Sequence, residues 1–317
     1  MKVWVVLLLL VTPATILGQH GHGKAQPSPM LISGLGEVHH PVSTKESEAQ
    51  KFFNQGLACI YGFNHEEAIR SFNGALDADP QLAMAHWGIA LALGAHYNMA
   101  ADGPSLAQAY SHLQKARMLA EKASEHDRAY IEALAKRYSS ESQADPQQLA
   151  LAYKTAMEGL VRLYPDDLDA ATLYAESMMN LRPWRLWTTD GQPAEGTLEI
   201  LSVLESVIRR NPNHPGANHY YIHAVEASND PKRALESAAR LGQLAPKAGH
   251  LVHMPSHIYI RTGDYNKAAQ VNADALLVDQ EYLKLSGMEG AYSSITTTTI
   301  DTFLLQHKRC RVAINKH

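Results

Sequence analysis

The chain has 317 residues, of which 45% are hydrophobic and 19% are charged, a composition typical of folded globular proteins and not of disordered ones. Its formal net charge is -4, and no run of basic residues is present that could follow a phosphate backbone. We therefore expect no nucleic-acid partner. Cys59 and Cys310, the two cysteines, lie far apart in sequence, so no disulfide framework is expected.

The N-terminus has the pattern of an export signal. Lys2 precedes an apolar stretch from Val3 to Leu17, which Pro13 interrupts and which is too short for a comfortable membrane span. We predict a signal peptide over residues 1–18, cleaved after Gly18, with an uncleaved anchor as the alternative. The mature protein would be secreted or periplasmic, have no membrane span, and start with an N-terminal extension over residues 19–46.

The segment from residue 49 to residue 80 has the spacing of a helical repeat. Gly56 lies on a first helix, and Ala68, Phe72 and Ala75 lie on a second helix that ends at Pro80. Small residues where two helices cross, with aromatic residues filling the gaps, are what a close helix pair requires. The segment resembles a tetratricopeptide repeat (TPR) unit.

The same spacing recurs downstream. Ala268 and Ala275 follow Gly249 at the offsets at which Ala68 and Ala75 follow Ala49. The sequence predicts an all-α, TPR-type α-solenoid of about six antiparallel helix pairs over residues 47–282. The pairs are expected to begin near Ala49, Ala83, Ser124, Leu168, Pro215 and Gly249.

Two pairs carry long insertions at their internal turn, over residues 94–104 and 183–193. Loops of this length in a solenoid are more often functional than ordinary turns. We predict that the second loop contributes Trp184 and Trp187 to a binding groove, with packing of both indoles on a neighbouring helix end as the alternative. The predicted groove-binding residues are Phe53, Leu57, Trp87, Trp184 and Trp187.

The last stretch departs from the repeat. Residues 283–317 lack the repeat spacing and contain four consecutive threonines, Thr296 to Thr299, which are poor helix formers. We interpret this stretch as an irregular C-terminal tail, with truncation or a frame shift as its explanation.

Several blocks together resemble a family of exported bacterial TPR proteins without an established activity. They include YGFNHEEAIRSF, NHPGANHYYIHAVEAS and GHLVHMPSHIYIRTGDY. The resemblance covers nearly everything from Gly36 to Tyr282 and implies a repeat fold and export, but no reaction. Members of the family continue with further repeats, and a segment containing His and Asn stands near the position of Thr296 to Thr299.

Histidines are the main candidates for chemistry. His219 and His223 are four residues apart on one predicted helix, and His253 and His257 repeat this spacing 34 residues later, one repeat along. Residues at this spacing share a helix face. The inward positions of the same region also include His250, Glu226 and Glu176, beside Asp169. Imidazole with carboxylate suits Zn, Cu, Fe or Ni and does not choose among them.

The alternative is that these histidines only hydrogen-bond neighbouring groups, or form a polar surface for a peptide. His39 and His40 are interpreted as a loop pair over the first repeat, with the alternative that they reach into the same groove. Two functions remain open: a protein that binds a peptide or protein partner in its concave groove, with a His-rich metal site, or a metal-dependent hydrolase or oxidoreductase. No HExxH, GxSxG, GxxxxGK[ST] or GxGxxG motif is present to support a particular reaction.

Overall fold

The structure is a computed structural model that describes residues 28–141 and 143–286. Within these residues the secondary structure is helical, apart from isolated bridges between His96 and Met99 and between Trp187 and Pro193. The α-helices of the described part are α1 Ser47–Tyr61, α2 His65–Ala78, α3 Ala83–Ala92, α4 Gly103–Leu119, α5 Glu125–Leu134, α6 Pro146–Leu163, α7 Leu168–Met179, α8 Thr197–Arg210, α9 Pro215–Val225, α10 Leu235–Leu244, α11 Gly249–His253, α12 Pro255–Thr262 and α13 Tyr265–Ser286.

These helices form the six antiparallel pairs of a TPR-type solenoid, as the sequence predicted. The pairs are α1 with α2, α3 with α4, α5 with α6, α7 with α8, α9 with α10, and α11 and α12 with α13. Each pair begins within two residues of the position that the repeat spacing gave. The fold is therefore all-α.

Helix starts are fixed by local hydrogen bonds. Asn64 caps α2, since its side-chain oxygen accepts from the backbone N–H of Glu67 at 3.2 Å. Glu66 in the first turn adds negative charge at the positive end of the helix. Asp102, Ser124 and Asp167 cap α4, α5 and α7 in the same way.

Phe72 fixes the spacing of the first two pairs. Its ring lies against Gly56 of α1 and Gly88 of α3, and a Cβ atom at either glycine would lie 2.5 Å from the ring. A side chain at either position would therefore force the helices apart. The small residues of the repeats are at most 1% exposed, namely Ala68, Ala75, Ala234, Ala268 and Ala275.

The solenoid winds tightly enough to close on itself. The ring of Phe63, at the end of the first helix, lies 4.6 Å from that of His219 on α9. Tyr282 of α13 accepts a hydrogen bond at 3.0 Å from Arg70 of α2. Before α1, Gly34 accepts through its carbonyl oxygen from the backbone N–H of Lys247 at 2.8 Å. These contacts fill the inner face, so it is not an open groove.

The first helix of the last pair is broken. α11 ends at His253 and α12 begins at Pro255, whose ring lacks the N–H that a continuous helix would use. His253 ends α11, and His257 lies in the first turn of α12. The predicted signal peptide and Thr296 to Thr299 lie outside the described residues.

Candidate metal centre

Five histidines from two neighbouring repeats form one contiguous cluster. His219 and His223 lie on α9, and His250, His253 and His257 lie on α11 and α12. Ring centroids of successive members are 4.8–6.0 Å apart along the chain of contacts His223, His219, His250, His253, His257. We call this group the histidine cluster. All five predicted histidines thus meet in the interior of the solenoid.

Three members converge on one point. One ring nitrogen each of His219, His223 and His250 lies within 4.8 Å of the other two, and the Nε2 atoms of His219 and His250 are 3.1 Å apart. In a tetrahedral zinc site, nitrogens at about 2.0–2.1 Å from the ion lie about 3.3 Å from one another. The spacing of His219 and His250 is close to that value. The converging set contains His250, which the helical spacing placed beside the two main pairs.

The Nδ1 atoms of His219 and His223 each donate a hydrogen bond to an oxygen atom of a neighbouring residue. Nδ1 of His219 donates to the main-chain carbonyl oxygen of Tyr61 at 2.6 Å. Nδ1 of His223 donates to Oε1 of Glu226 at 2.8 Å. Each neutral ring therefore keeps its lone pair on Nε2, and Nε2 of His223 is buried without a hydrogen-bond partner. Metal-binding histidines in proteins are oriented in this way.

His253 and His257 form a second pair with the same orientation. Nδ1 of His257 donates to Oε2 of Glu226 at 2.5 Å, and Nδ1 of His253 donates to the side-chain oxygen of Asn272. Their Nε2 atoms lie 2.9 Å apart. Two lone pairs at this distance repel each other, so a proton or a metal ion has to lie between them.

Burial keeps most of the cluster neutral. It lowers the pKa of His219 and His250 well below the ordinary value, and that of His253 to about 3. Burial also lowers the pKa of His257, but the charge of Glu226 outweighs it and the net shift is upward. Neutral imidazole is the form that binds metal, so the rings of His219, His250 and His253 are in the form that can act as ligands.

The two predicted carboxylates have different places. Burial alone would raise the pKa of Glu226, but His257 and His223 outweigh it and keep the carboxylate ionised. Both oxygens of Glu226 accept from imidazole, so it orients His223 and His257 from outside the converging set. Glu176 instead bonds Asn180. Among the described residues, neither carboxylate belongs to the group that converges with the histidines.

Three of the predicted groove-binding residues belong to the core. Phe53, Leu57 and Trp87 are at most 1% exposed. They offer no surface to a partner, because neighbouring segments cover them: Phe53 packs against His40 of the N-terminal segment and Trp87 packs against Tyr130 of α5. For these three residues, the prediction of an open binding wall is therefore corrected.

The two remaining groove residues border a cavity beside the cluster. Trp184 is 54% exposed and its ring lies 5.6 Å from that of His223, while Nε1 of Trp187 donates to the carbonyl oxygen of Ala224 at 2.7 Å. Trp184 has a φ of 59°, a conformation that bulky residues rarely adopt. The cavity has a volume of 230 Å³ and is lined by Tyr97, Trp184, Leu186, Trp187, His223, Glu226, Ala227 and Arg261.

Phe63 is a central residue that the sequence did not point to. Its backbone has a φ of 54°, and its ring lies 4.5 Å from His96, 4.6 Å from His219 and 5.5 Å from His250. The ring therefore covers one side of the converging set with apolar surface. The sequence shows its turn, Gly62 to Asn64, but two of its partners, His219 and His250, lie in distant repeats.

Comparisons with known proteins add little. No protein-family model matches the chain, and no curated protein matches it. Among solved structures, the chain is similar to the crystal structure of YrrB, described as a TPR protein with an unusual peptide-binding site. The identity is 14%, the TM-score is 0.25, and the match covers 75% of this chain and 90% of that one. A likeness this distant carries no argument about the site.

Proposed function

We propose that this protein binds one transition-metal ion through His219, His223 and His250, inside a TPR-type solenoid. The observation that carries the proposal is the orientation of the rings. Four of the five histidines in the cluster donate from Nδ1 to an oxygen atom, which leaves Nε2 for another partner, and Nε2 of His223 is buried and unpartnered. An unpaired polar atom in a protein interior is costly unless something binds it.

The ligand atoms restrict which metal ion can bind. A set of imidazole nitrogens suits Zn, Cu, Ni or Fe and is unsuited to Mg or Ca, which prefer oxygen. In the metal-free form, Nε2 of His250 donates to Nε2 of His219 at 3.1 Å. Binding requires only that this proton leave Nε2 of His250, so the site is close to its metal-bound arrangement.

We extend the proposal to a metal-dependent enzyme, because the 230 Å³ cavity borders His223 and Glu226. Three protein ligands leave a position on the ion for water or substrate. A substrate entering beside Trp184 and Tyr97 would meet the ion at His223, whose ring lies 5.2 Å from that of Tyr97. Glu226 lines this cavity and also accepts from Nδ1 of His257.

A protein or peptide partner is the second candidate, and the exposed Trp184 supports it. Because the inner face is filled, the contact surface would be the mouth of the cavity and not the concave groove. Export to the periplasm or outside the cell remains our proposal for localisation, on the basis of residues 1–18. Within the described residues, no helix has the length and apolar character needed to cross a membrane. Mass spectrometry of the mature N-terminus, expected at Gln19, tests export.

The metal proposal is tested by stoichiometry. The purified chain is stripped with a chelator, exposed separately to Zn²⁺, Cu²⁺, Ni²⁺ and Fe²⁺, desalted and analysed for metal. We expect the wild type to retain at least one of these metals and the variant His219→Ala with His223→Ala to lose one equivalent of it. His86→Ala with His112→Ala is the matched control, since this pair, with Nδ1 atoms 3.0 Å apart, lies outside the cluster. Equal retention of every metal by the two double variants would contradict the proposal.

A further inference from the structure

The cavity beside Trp184 has aromatic walls. Tyr97, Trp184 and Trp187 line it, and the ring centroids of Tyr97 and Trp184 lie 5.1 Å apart. The ring of Trp184 also meets that of His223 edge-on at 5.6 Å, so the aromatic wall reaches the candidate metal centre. Walls of this kind favour a flat, unsaturated ligand, because pairs of rings are stabilised beyond the burial of their area.

The two indoles are held in place by the protein itself. Nε1 of Trp187 donates to the carbonyl oxygen of Ala224, which fixes this ring against α9. Trp184 has a φ of 59° and is nevertheless 54% exposed. Backbone conformations of this kind cost free energy and are concentrated at sites that bind ligands. The indole of Trp184 therefore presents a large free surface in a position that the backbone imposes.

Arg261 supplies a positive charge at the cavity. It lies in the last turn of α12, is exposed and lines the cavity. Its Nη2 donates to the carbonyl oxygen of Ser228 at 3.2 Å, and within residues 28–141 and 143–286 no carboxylate pairs with it. Most donors of the guanidinium are therefore left for a ligand. Their planar arrangement matches the two oxygens of a carboxylate.

The carboxylate that lines the same cavity is already engaged. Both oxygens of Glu226 accept from imidazole, one from Nδ1 of His223 and the other from Nδ1 of His257. The cavity therefore combines a negative group that is bonded within the protein with a positive group that has no charged partner in the described residues. This combination favours an anionic ligand over a cationic one.

We propose that the cavity binds a single-ring aromatic carboxylate, with its ring against Trp184 and its carboxylate on Arg261. The volume of 230 Å³ is below the about 300–1,000 Å³ of cavities that hold drug-sized ligands, so the ligand is small. Because His223 also lines the cavity, the bound ligand lies beside the proposed ion. Its role as a substrate rests on the proposed function, whereas its binding requires no metal.

The first test uses the wild-type full chain, stripped of metal, in calorimetric titrations with four small probes. We expect benzoate to bind at least tenfold more tightly than benzamide, which keeps the ring without the charge, and than acetate, which keeps the charge without the ring. Binding of benzoate should also change tryptophan fluorescence, since Trp184 and Trp187 line the cavity. Absence of benzoate binding, or tighter binding of benzylammonium than of benzoate, overturns the proposal.

The second test locates the carboxylate. Arg261→Gln should weaken benzoate binding at least tenfold and leave benzamide binding unchanged. Arg240→Gln is the matched control, since Arg240 pairs with Glu236 at 2.7 Å and does not line the cavity. Benzoate binding at wild-type strength in Arg261→Gln overturns the proposal.

The two proposals fail separately. Benzoate binding by a chain that retains no metal contradicts the proposed function alone, whereas metal retention without benzoate binding contradicts the ligand proposal alone.

Discussion

Replacing Glu226 by Gln tests how the histidine cluster is oriented. The carboxylate accepts from Nδ1 of His223 at 2.8 Å and from Nδ1 of His257 at 2.5 Å. Glutamine has one acceptor oxygen and one donor nitrogen, so it can accept from only one of these rings. The shorter bond, from His257, keeps the oxygen, so His223 has to turn its lone pair to Nδ1 and carry its proton on Nε2, which then cannot bind metal.

The expected loss of Zn²⁺ affinity follows from the role of Glu226 in orienting a metal-binding histidine. Loss of the partner that orients a metal-binding histidine lowers affinity by about 10–100-fold. That range corresponds to about 1.4–2.7 kcal/mol of binding free energy. At a fixed excess of Zn²⁺, the metal-induced rise in Tm should shrink by about 2–4 °C for a chain of this size.

The assay is competition for Zn²⁺ against a chromophoric chelator, together with thermal unfolding with and without the ion. Glu199→Gln is the matched control, because this exposed carboxylate accepts from the hydroxyl of Tyr174 at 2.7 Å and lies outside the cluster. If Glu226→Gln binds Zn²⁺ as tightly as Glu199→Gln does, the reasoning from ring orientation is refuted.

Three further substitutions test the packing, the electrostatics and the access to the site. Gly88→Ala should destabilise the fold by about 1–3 kcal/mol because its Cβ would lie 2.5 Å from Phe72, whereas Gly159→Ala, with open space around it, should stabilise it by up to about 1 kcal/mol; denaturant unfolding measures both. Asp279 is buried with both carboxylate oxygens unpartnered, and burial raises its pKa to about 7 from 3.8. Between about pH 4 and about pH 7 the folded state therefore holds a proton that the unfolded chain releases, so the free energy of unfolding falls as pH rises through this range. Asp279→Asn should be more stable than the wild type at pH 8 by up to about 4 kcal/mol. Urea titrations at several pH values should show that the variant has lost this pH dependence. Trp184→Ala should leave Tm nearly unchanged, because the side chain is 54% exposed, but should speed the removal of bound Zn²⁺ by a chelator in stopped-flow measurements.

The sequence predicted the repeat because the fold depends on local spacing. Ala68 and Ala75 recur as Ala268 and Ala275, and all four are buried where helices cross. The same repeat spacing predicted that His219 would lie beside the histidines of the last repeat. A helix face repeated one unit later has to lie beside itself in a solenoid.

The rest of the site depends on how tightly the solenoid winds, which no local pattern records. Closure brings Phe63 onto the histidine cluster. Phe53 and Trp87, which repeat spacing alone placed on an open wall, are buried against His40 of the N-terminal segment and Tyr130 of α5. The break between α11 and α12 is a second reason. The prediction treated this helix as continuous, whereas His253 ends α11 and His257 lies on α12, with their Nε2 atoms 2.9 Å apart.

The central claim is that His219, His223 and His250 share one metal ion. Anomalous diffraction at the zinc absorption edge, on crystals grown with one equivalent of Zn²⁺, tests it most directly. We predict a single strong peak in the histidine cluster, at about 2.0–2.1 Å from one nitrogen of each of these three rings. The claim is contradicted if the cluster shows no peak while Nε2 of His250 remains hydrogen-bonded to Nε2 of His219.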